Sequence, residues 1–262
     1  MGKRTRYEPG TFCWIDFQTI DPESTKAFYS KLFGWQAVDM PVGNGTTYTM
    51  LTLDGDDVAA LNEMDAEQRE ASIPPHWFSY ISVADADETA AKARELGGTV
   101  FGEAFDVLDA GRMAIIQDPL GATFAAWQPK NHIGAGRVND TGCLAWNELQ
   151  TRDHEAATKF YSGLFDWKAS PIEENGNTVY LTIENKGSMN GGVMPMTEAH
   201  GDAPPYWLPY FTVESCDETV EKIKTLGGNL LAGPIESGAG RIAVAADPQG
   251  AAFAIFEGET DE

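Results

Sequence analysis

The chain has 262 residues, 42% of them hydrophobic, with 18 Lys and Arg against 40 Asp and Glu for a formal net charge of −22. That length accommodates two domains with real cores, and that charge repels polyanions, so neither nucleic acid nor an anionic membrane is an expected partner. No run approaches the roughly 18 apolar residues of a membrane helix. The stretch Met1 to Pro9 is basic but lacks the apolar segment of a signal peptide, so the expected location is cytoplasmic. Cys13, Cys143 and Cys216 are too scattered for a disulfide framework or a CxxC zinc site and are expected to be small buried residues.

A first strand is predicted near residues 11 to 19. Asp21-Pro22-Glu23 then supplies an N-cap, a proline at the first helical position and an early acid. The helix that follows has Ala27, Phe28, Leu32 and the stem of Lys31 on one stripe and stops near Gly34. Trp35 to Leu53 reads as two or three strands broken by a Gly43-Asn44-Gly45 hairpin turn, with another strand at Val58 to Met64. Residues 65 to 75 read as an acidic connector ending in Pro74-Pro75. The same grammar then recurs: a strand from Trp77 to Val83, a helix capped by Asp85 or Asp87 and ended at Gly97-Gly98, and strands at Thr99 to Phe105, Arg112 to Gln117 and Thr123 to Trp127. Asp118-Pro119-Leu120-Gly121 forms a tight turn between the last two.

The second half repeats the first. Phe28-Tyr29 returns as Phe160-Tyr161, Trp35 as Trp167, Pro74-Pro75-His76-Trp77 as Pro204-Pro205-Tyr206-Trp207, and Asp118-Pro119 as Asp247-Pro248. Such a period predicts an α+β architecture of four β-α-β-β-β modules, each with one helix over a small mixed sheet, arranged as two tandem domains at 8–130 and 140–258 and joined through Gln128 to Thr141. On each opening strand the side-chain period of two places Trp14, Asp16 and Gln18 on one face, and Trp146, Glu148 and Gln150 on its counterpart.

The pattern Asp21, Phe28-Tyr29, Leu32-Phe33-Gly34-Trp35, Leu96-Gly97-Gly98 and Asp118-Pro119-Leu120-Gly121, matched in both halves, resembles the vicinal oxygen chelate superfamily. This is the fold of glyoxalase I, extradiol dioxygenases and the bleomycin and fosfomycin resistance proteins. The tandem Trp-x-Asp/Glu-x-Gln-Thr-x-Asp motif and the linker Asn131-His132-Ile133-Gly134-Ala135 more narrowly resemble actinobacterial two-domain members, typified by a mycobacterial secreted antigen of glyoxalase or hydroxylase designation. The resemblance implies that two modules curl into a cup, a cupped mixed sheet with a divalent ion on its floor; whether a cup forms from adjacent modules or from the first and fourth stays open. The positions it assigns to ligands, however, carry Trp14, Phe78 and Ala125 in one half and Trp146, Leu208 and Ala254 in the other, with His76 or Tyr206 reached only by a slip of two. Indole offers an N–H donor and nothing to a cation, so no metal ligands and no cofactor are expected. The four histidines, His76, His132, His154 and His200, are expected at the surface or hydrogen-bonded.

The remaining candidates describe an aromatic cup. Trp14, Gln18, Trp77 and Arg112 in the first half, and Trp146, Gln150, Trp207 and Arg241 in the second, are the expected ligand-binding residues, for a small planar or aromatic ligand that stacks on indole. Asp16 and Glu148 are the catalytic candidates, since a buried carboxylate must be wet, paired or protonated. Arg112 and Arg241 are their expected partners. Tyr29 and Tyr161 are expected to pack against the sheets. The leading expectation is a small-molecule binding protein without the usual metal triad. Its alternatives are a metal-independent lyase, isomerase or hydroxylase-like enzyme acting on a small carbonyl or polyketide-like substrate, and a structural or interaction module with filled cups. A monomer or homodimer is expected.

Overall fold

The computed structural model describes residues 2–43 and 46–260. The first module contains β1 (Phe12–Thr19), α1 (Pro22–Phe33), β2 (Gln36–Gly43), β3 (Thr46–Leu53) and β4 (Asp56–Glu63), and a short helix α2 (Ala66–Glu70) follows it. The second contains β5 (His76–Ser82), α3 (Ala86–Glu95), β6 (Thr99–Val107), β7 (Gly111–Gln117) and β8 (Thr123–Pro129). The third contains β9 (Leu144–Thr151), α4 (His154–Phe165), β10 (Lys168–Glu174), β11 (Asn177–Asn185) and β12 (Ser188–Pro195). The fourth contains β13 (Tyr206–Thr212), α5 (Cys216–Thr225), β14 (Asn229–Glu236), β15 (Gly240–Ala246) and β16 (Ala252–Gly258). Of the hairpin turn expected between β2 and β3, Asn44 and Gly45 lie outside the described residues.

Local chemistry sets these boundaries. The Asp21 carboxylate accepts the Ser24 N–H to start α1, and Gly34, at φ 79°, ends it in the left-handed conformation with its N–H on the Ser30 carbonyl. The buried stripe of α1 is Thr25, Phe28, Tyr29 and Leu32, while Ala27 and Lys31 face solvent. The phase therefore differs from the expected one by a residue, because the wide apolar side chains that must be buried include Tyr29. The connector at 65–75 also holds more structure than expected: Asp65 and Gln68 form a capping box that starts α2.

Adjacent modules share a sheet. One eight-stranded sheet runs β2-β3-β4-β1-β5-β8-β7-β6 and the other β10-β11-β12-β9-β13-β16-β15-β14, with β1/β4, β5/β8, β9/β12 and β13/β16 parallel and the other neighbours antiparallel. The cores, in contrast, are shared between domains. Ile15, Phe17, Phe28, Tyr29 and Trp77 pack in one cluster with Phe211, Val220, Ile223 and Phe253, and Ile81, Ala90 and Phe124 pack in another with Phe160, Tyr161, Trp167 and Trp207. The helix-bearing faces of the two sheets are thus buried against each other.

Polar contacts across this junction obey the internal repeat. Lys222 Nζ on α5 donates to the Leu32 carbonyl at the end of α1 (3.0 Å), and Lys92 Nζ on α3 to the Leu164 carbonyl at the end of α4 (3.1 Å), each placing a cation at the negative end of a helix. Trp35 Nε1 donates to the Gly142 carbonyl and Trp167 Nε1 to that of Gly10, both at 2.8 Å. The Tyr161 hydroxyl donates to Asp118 Oδ2 in the turn of the opposite domain (3.1 Å), and Tyr29 stands against Asp247 in the matching place. The three cysteines are free and buried.

Phe211 is fully buried among Phe33, Trp35, Trp77 and Phe253, rings drawn from both domains. Phe211→Ala is expected to lose about 3 to 5 kcal/mol of stability, as a cavity in a packed aromatic core does. Urea unfolding followed by tryptophan fluorescence should give a single transition for both domains. Two separated transitions would contradict a shared core.

Candidate functional site

The strand faces opposite the shared cores form the concave sides of the two sheets. In the first, Trp14 pairs across to Tyr80 and Asp16 to Phe78, Tyr80 lies beside Ala125, and Asp16 lies beside Ala60. The Tyr80 hydroxyl donates to Asp16 Oδ2 (2.6 Å) and Gln18 Nε2 to Asp16 Oδ1 (2.8 Å). Trp14 Nε1 donates to the Tyr48 hydroxyl (3.0 Å), which in turn hydrogen-bonds Asp16. A buried carboxylate is therefore held by two phenols and an amide. Burial pushes its carboxyl from 3.8 up to about 6, against the pull of Tyr80, Gln18 and Tyr48. The rim is apolar: Val38 and Met40 on β2 and Phe101 and Phe105 on β6 are exposed opposite cup-lining residues of β3 and β7.

The second cup repeats this constellation. Trp146 pairs across to Tyr210, Glu148 to Leu208 and Gln150 to Tyr206. Trp146 Nε1 donates to the Tyr180 hydroxyl (2.9 Å), Gln150 Nε2 donates to Glu148 Oε1, and both Tyr210 and Tyr180 hydrogen-bond the Glu148 carboxylate. Burial raises this carboxyl above its ordinary range, and Tyr210, Tyr180 and Gln150 oppose the rise. A Cβ at Gly192 would stand 1.9 Å from the Tyr180 hydroxyl, so glycine there lets the phenol lie close to the floor.

The structure brings together Trp14, Asp16 and Gln18, and likewise Trp146, Glu148 and Gln150. It removes the other four residues from the cups. Trp77 and Trp207 point to the opposite face, into the shared cores, where their Nε1 atoms donate to the Tyr29 and Tyr161 hydroxyls at 3.1 and 3.0 Å. Trp77 pairs with Phe17 rather than with Asp16, and the pleat sends it to the core side. The pairs Arg112 with Asp16 and Arg241 with Glu148 do not form. Arg112 binds Asp87 through two bonds (2.6 and 2.9 Å), and Arg241 binds Asp217 (2.7 and 3.2 Å), at the exposed first turns of α3 and α5. The phenols do what the arginines were expected to do. Tyr48 and Tyr180 lie 132 positions apart, Tyr80 and Tyr210 lie 130 apart, and that repetition is the signal in the sequence that marks them.

The linker is also more than a connector. His132 packs edge-on against Trp14 with ring centroids 4.7 Å apart, Trp127 Nε1 donates to the His132 carbonyl (2.9 Å), and Ala135 N–H donates to the Cys13 carbonyl (2.7 Å). It closes one end of the first cup over Trp14, which is only 3% exposed. His132 is accordingly held against indole rather than displayed at the surface.

The sequence profile of the Glyoxalase/Bleomycin resistance protein/Dioxygenase superfamily matches residues 11–125 and again 141–255. The chain belongs to this superfamily. It is 41% identical over 261 residues, 98% of each chain, to CFP32 of Mycobacterium tuberculosis (strain CDC 1551 / Oshkosh), which is named as a candidate glyoxylase. It is 31% identical over 263 residues, 97% of this chain and 95% of the other, to the anthracycline biosynthesis protein DauV of Streptomyces sp. (strain C5). Among solved structures, the 2,3-dioxygenase LapB of Pseudomonas sp. KL28 superposes with a TM-score of 0.66 at 14% identity, covering 98% of this chain and 96% of that one. The Mn(II)-bound glyoxalase of Novosphingobium aromaticivorans superposes with a TM-score of 0.64 at 15% identity, covering 99% and 85%.

The floor does not fit the divalent ion that such neighbours suggest. Indole, phenyl and methyl groups stand at Trp14, Phe78 and Ala125, and indole, isobutyl and methyl groups at Trp146, Leu208 and Ala254. Among the described residues no three His, Cys, Asp or Glu side chains converge, whereas a catalytic site requires about three such ligands. His76, at the far end of the first cup, spends Nδ1 on the Pro74 carbonyl (2.8 Å). Untagged protein exposed to Mn(II), Fe(II) or Zn(II) and then dialysed is expected to retain substoichiometric metal by elemental analysis. One equivalent resisting dialysis would contradict this donor set.

A second expectation concerns pH. The folded chain holds the Asp16 proton up to about 6 and the unfolded chain releases it near 3.8. Between these values the folded state binds more protons, so the stability tied to this group is full at low pH and falls as pH rises through 6. Asp16→Asn is neutral throughout. Its stability relative to the parent should therefore improve by about 2 to 3 kcal/mol between pH 4 and pH 7, from about 1.4 kcal/mol per pKa unit, measured by urea denaturation. A pH-independent difference would show that Asp16 is not held protonated.

Proposed function

We propose that this chain is a glyoxalase/bleomycin-resistance-type small-molecule binding protein whose aromatic cups take planar ligands without a metal on the floor. The observation that carries this reading is the constellation built twice, an indole bonded to a phenol and a buried carboxylate held by two phenols and an amide, with apolar side chains around the rim of the first cup. Such a surface stacks on a flat ring system and offers it hydrogen bonds at one edge. The likeness to DauV, named for anthracycline biosynthesis, supports a fused-ring aromatic as ligand. The shared cores supply four modules in one chain, which supports a monomer, or a homodimer formed through other surfaces. The acidic surface supports a cytoplasmic, polyanion-avoiding protein, and no helix among the described residues is long and apolar enough to cross a membrane.

An enzymatic reading has one specific support. Burial pushes the Asp16 carboxyl up to about 6 and raises that of Glu148 above its ordinary range, which favours proton uptake by either one, so Asp16 or Glu148 would serve a metal-independent lyase, isomerase or hydroxylase-like reaction on a small carbonyl or polyketide-like substrate. Titration with 1,8-dihydroxyanthraquinone, followed by tryptophan fluorescence, is expected to quench saturably in the parent, and Trp14→Ala/Trp146→Ala should abolish the saturable component. Absence of saturation, or an unchanged curve in the double variant, would refute binding in the cups. Turnover of a carbonyl substrate that is lost in Asp16→Asn or Glu148→Gln, with affinity kept, would select the enzyme.

A further inference from the structure

The two cups share a constellation but differ in how completely it is satisfied. In the first, Gln18 Oε1 accepts from Asn62 Nδ2 and Gln68 Nε2, each at 3.5 Å. In the second, Met194 occupies the place of Asn62, opposite Gln150 in the parallel β9/β12 pair, and His200 is engaged with Thr197. Gln150 Oε1 is consequently buried with no hydrogen-bond partner among the described residues, on a side chain only 4% exposed.

The rings differ in the same sense. In the first cup Trp14 packs on His132, Trp127 on both His132 and Tyr80, and Phe78 on Tyr80, at centroid distances of 4.7 to 6.2 Å. In the second, Trp146, Tyr180, Tyr206, Tyr210 and Phe256 line the concave face, and among the described residues no two of these rings pack on each other. Trp146 is partly exposed, whereas Trp14 is buried beneath the linker and packs on His132.

We propose that the second cup is the ligand site, and that its ligand is a planar aromatic bearing a hydroxyl or N–H that donates to Gln150 Oε1 while the ring system lies against Trp146. This rests on the small-molecule reading above and adds the choice of cup and the donor. The wholly unpartnered atom at Gln150 is an acceptor, since its amide nitrogen already donates to Glu148 and the carboxylate takes bonds from Tyr180 and Tyr210. A ligand lacking a donor leaves that oxygen buried and unpaired, and discrimination against such a ligand is expected to be at least about tenfold.

Calorimetric titration of the full chain with 2-naphthol and with 2-methoxynaphthalene, equally flat probes that differ in the donor, tests this. The expected result is one equivalent of 2-naphthol per chain, bound at least about tenfold more tightly than the ether. Trp146→Ala should weaken both probes and Trp14→Ala neither. Gln150→Met should remove the preference for the phenol. Met194→Asn, which restores to Gln150 the neighbour that Gln18 has, should reduce the preference while leaving the ether unaffected and the floor otherwise intact. Two equivalents per chain, binding that follows Trp14 instead of Trp146, or a phenol preference unchanged in both Gln150→Met and Met194→Asn would overturn the choice of cup or donor and leave small-molecule binding standing. Failure of both probes to bind would bring down the small-molecule reading and this inference together.

Discussion

The burial of one sheet's helix-bearing face against the other's is the constraint on which the rest of this structure depends. Each module has a single 10- or 12-residue helix to cover four strands, which leaves rings such as Phe211 and Phe253 to be covered from outside their own domain. The opposite domain supplies that cover, and Tyr29, Tyr161 and the lysines of α3 and α5 tie the junction with bonds that cross it twice in matching ways. Because apolar area drives this contact, the cups are left on the outward faces. Ligand chemistry and folding energy are thereby divided between alternate residues of the same strands: Ile15 and Phe17 serve the core while Trp14, Asp16 and Gln18 serve the cup.

The floor chemistry follows from that division. A carboxylate so buried requires donors, and the fold meets the need with phenols that project from neighbouring strands of the same concave face. Arginines would bring a second charge to bury; the two that recur in the repeat, Arg112 and Arg241, instead pair with acids at exposed helix starts. The result is a pair of cups whose polar groups bind one another first. What remains for a ligand is the apolar rim, the open indole of the second cup, and one amide oxygen there.

Much of this was legible in the residues. The module grammar, the cap at Asp21, the double repeat and the shared face of Trp14, Asp16 and Gln18 are local or periodic signals, and the structure contains them; of the two caps offered for α3, Asp85 is the one used. Three features were not. His76, Trp77 and Phe78 are all bulky, so alternation alone could not say which of them faced the core. Asp87, which Arg112 binds through two bonds, lies on a helix that the chain folds beside it, and the phase of α1 buries Thr25 and Tyr29 in place of Ala27 and the Lys31 stem. The paired tyrosines were present in the repeat but carry no motif by themselves; their meaning appears only when four strands place them around one carboxylate.

By itself the sequence determined what is set within a few residues or by exact recurrence: where helices begin and end, that there are four like modules, and that the strand positions a metal would need carry carbon and indole nitrogen. Tertiary structure decided which modules join. Four similar modules present four similar opening strands, so pairing β1 with β5 rather than with another module is a choice that local chemistry leaves degenerate. The same folding laid the linker over Trp14 and left Trp146 partly exposed, so two strands of matching pattern meet different surroundings.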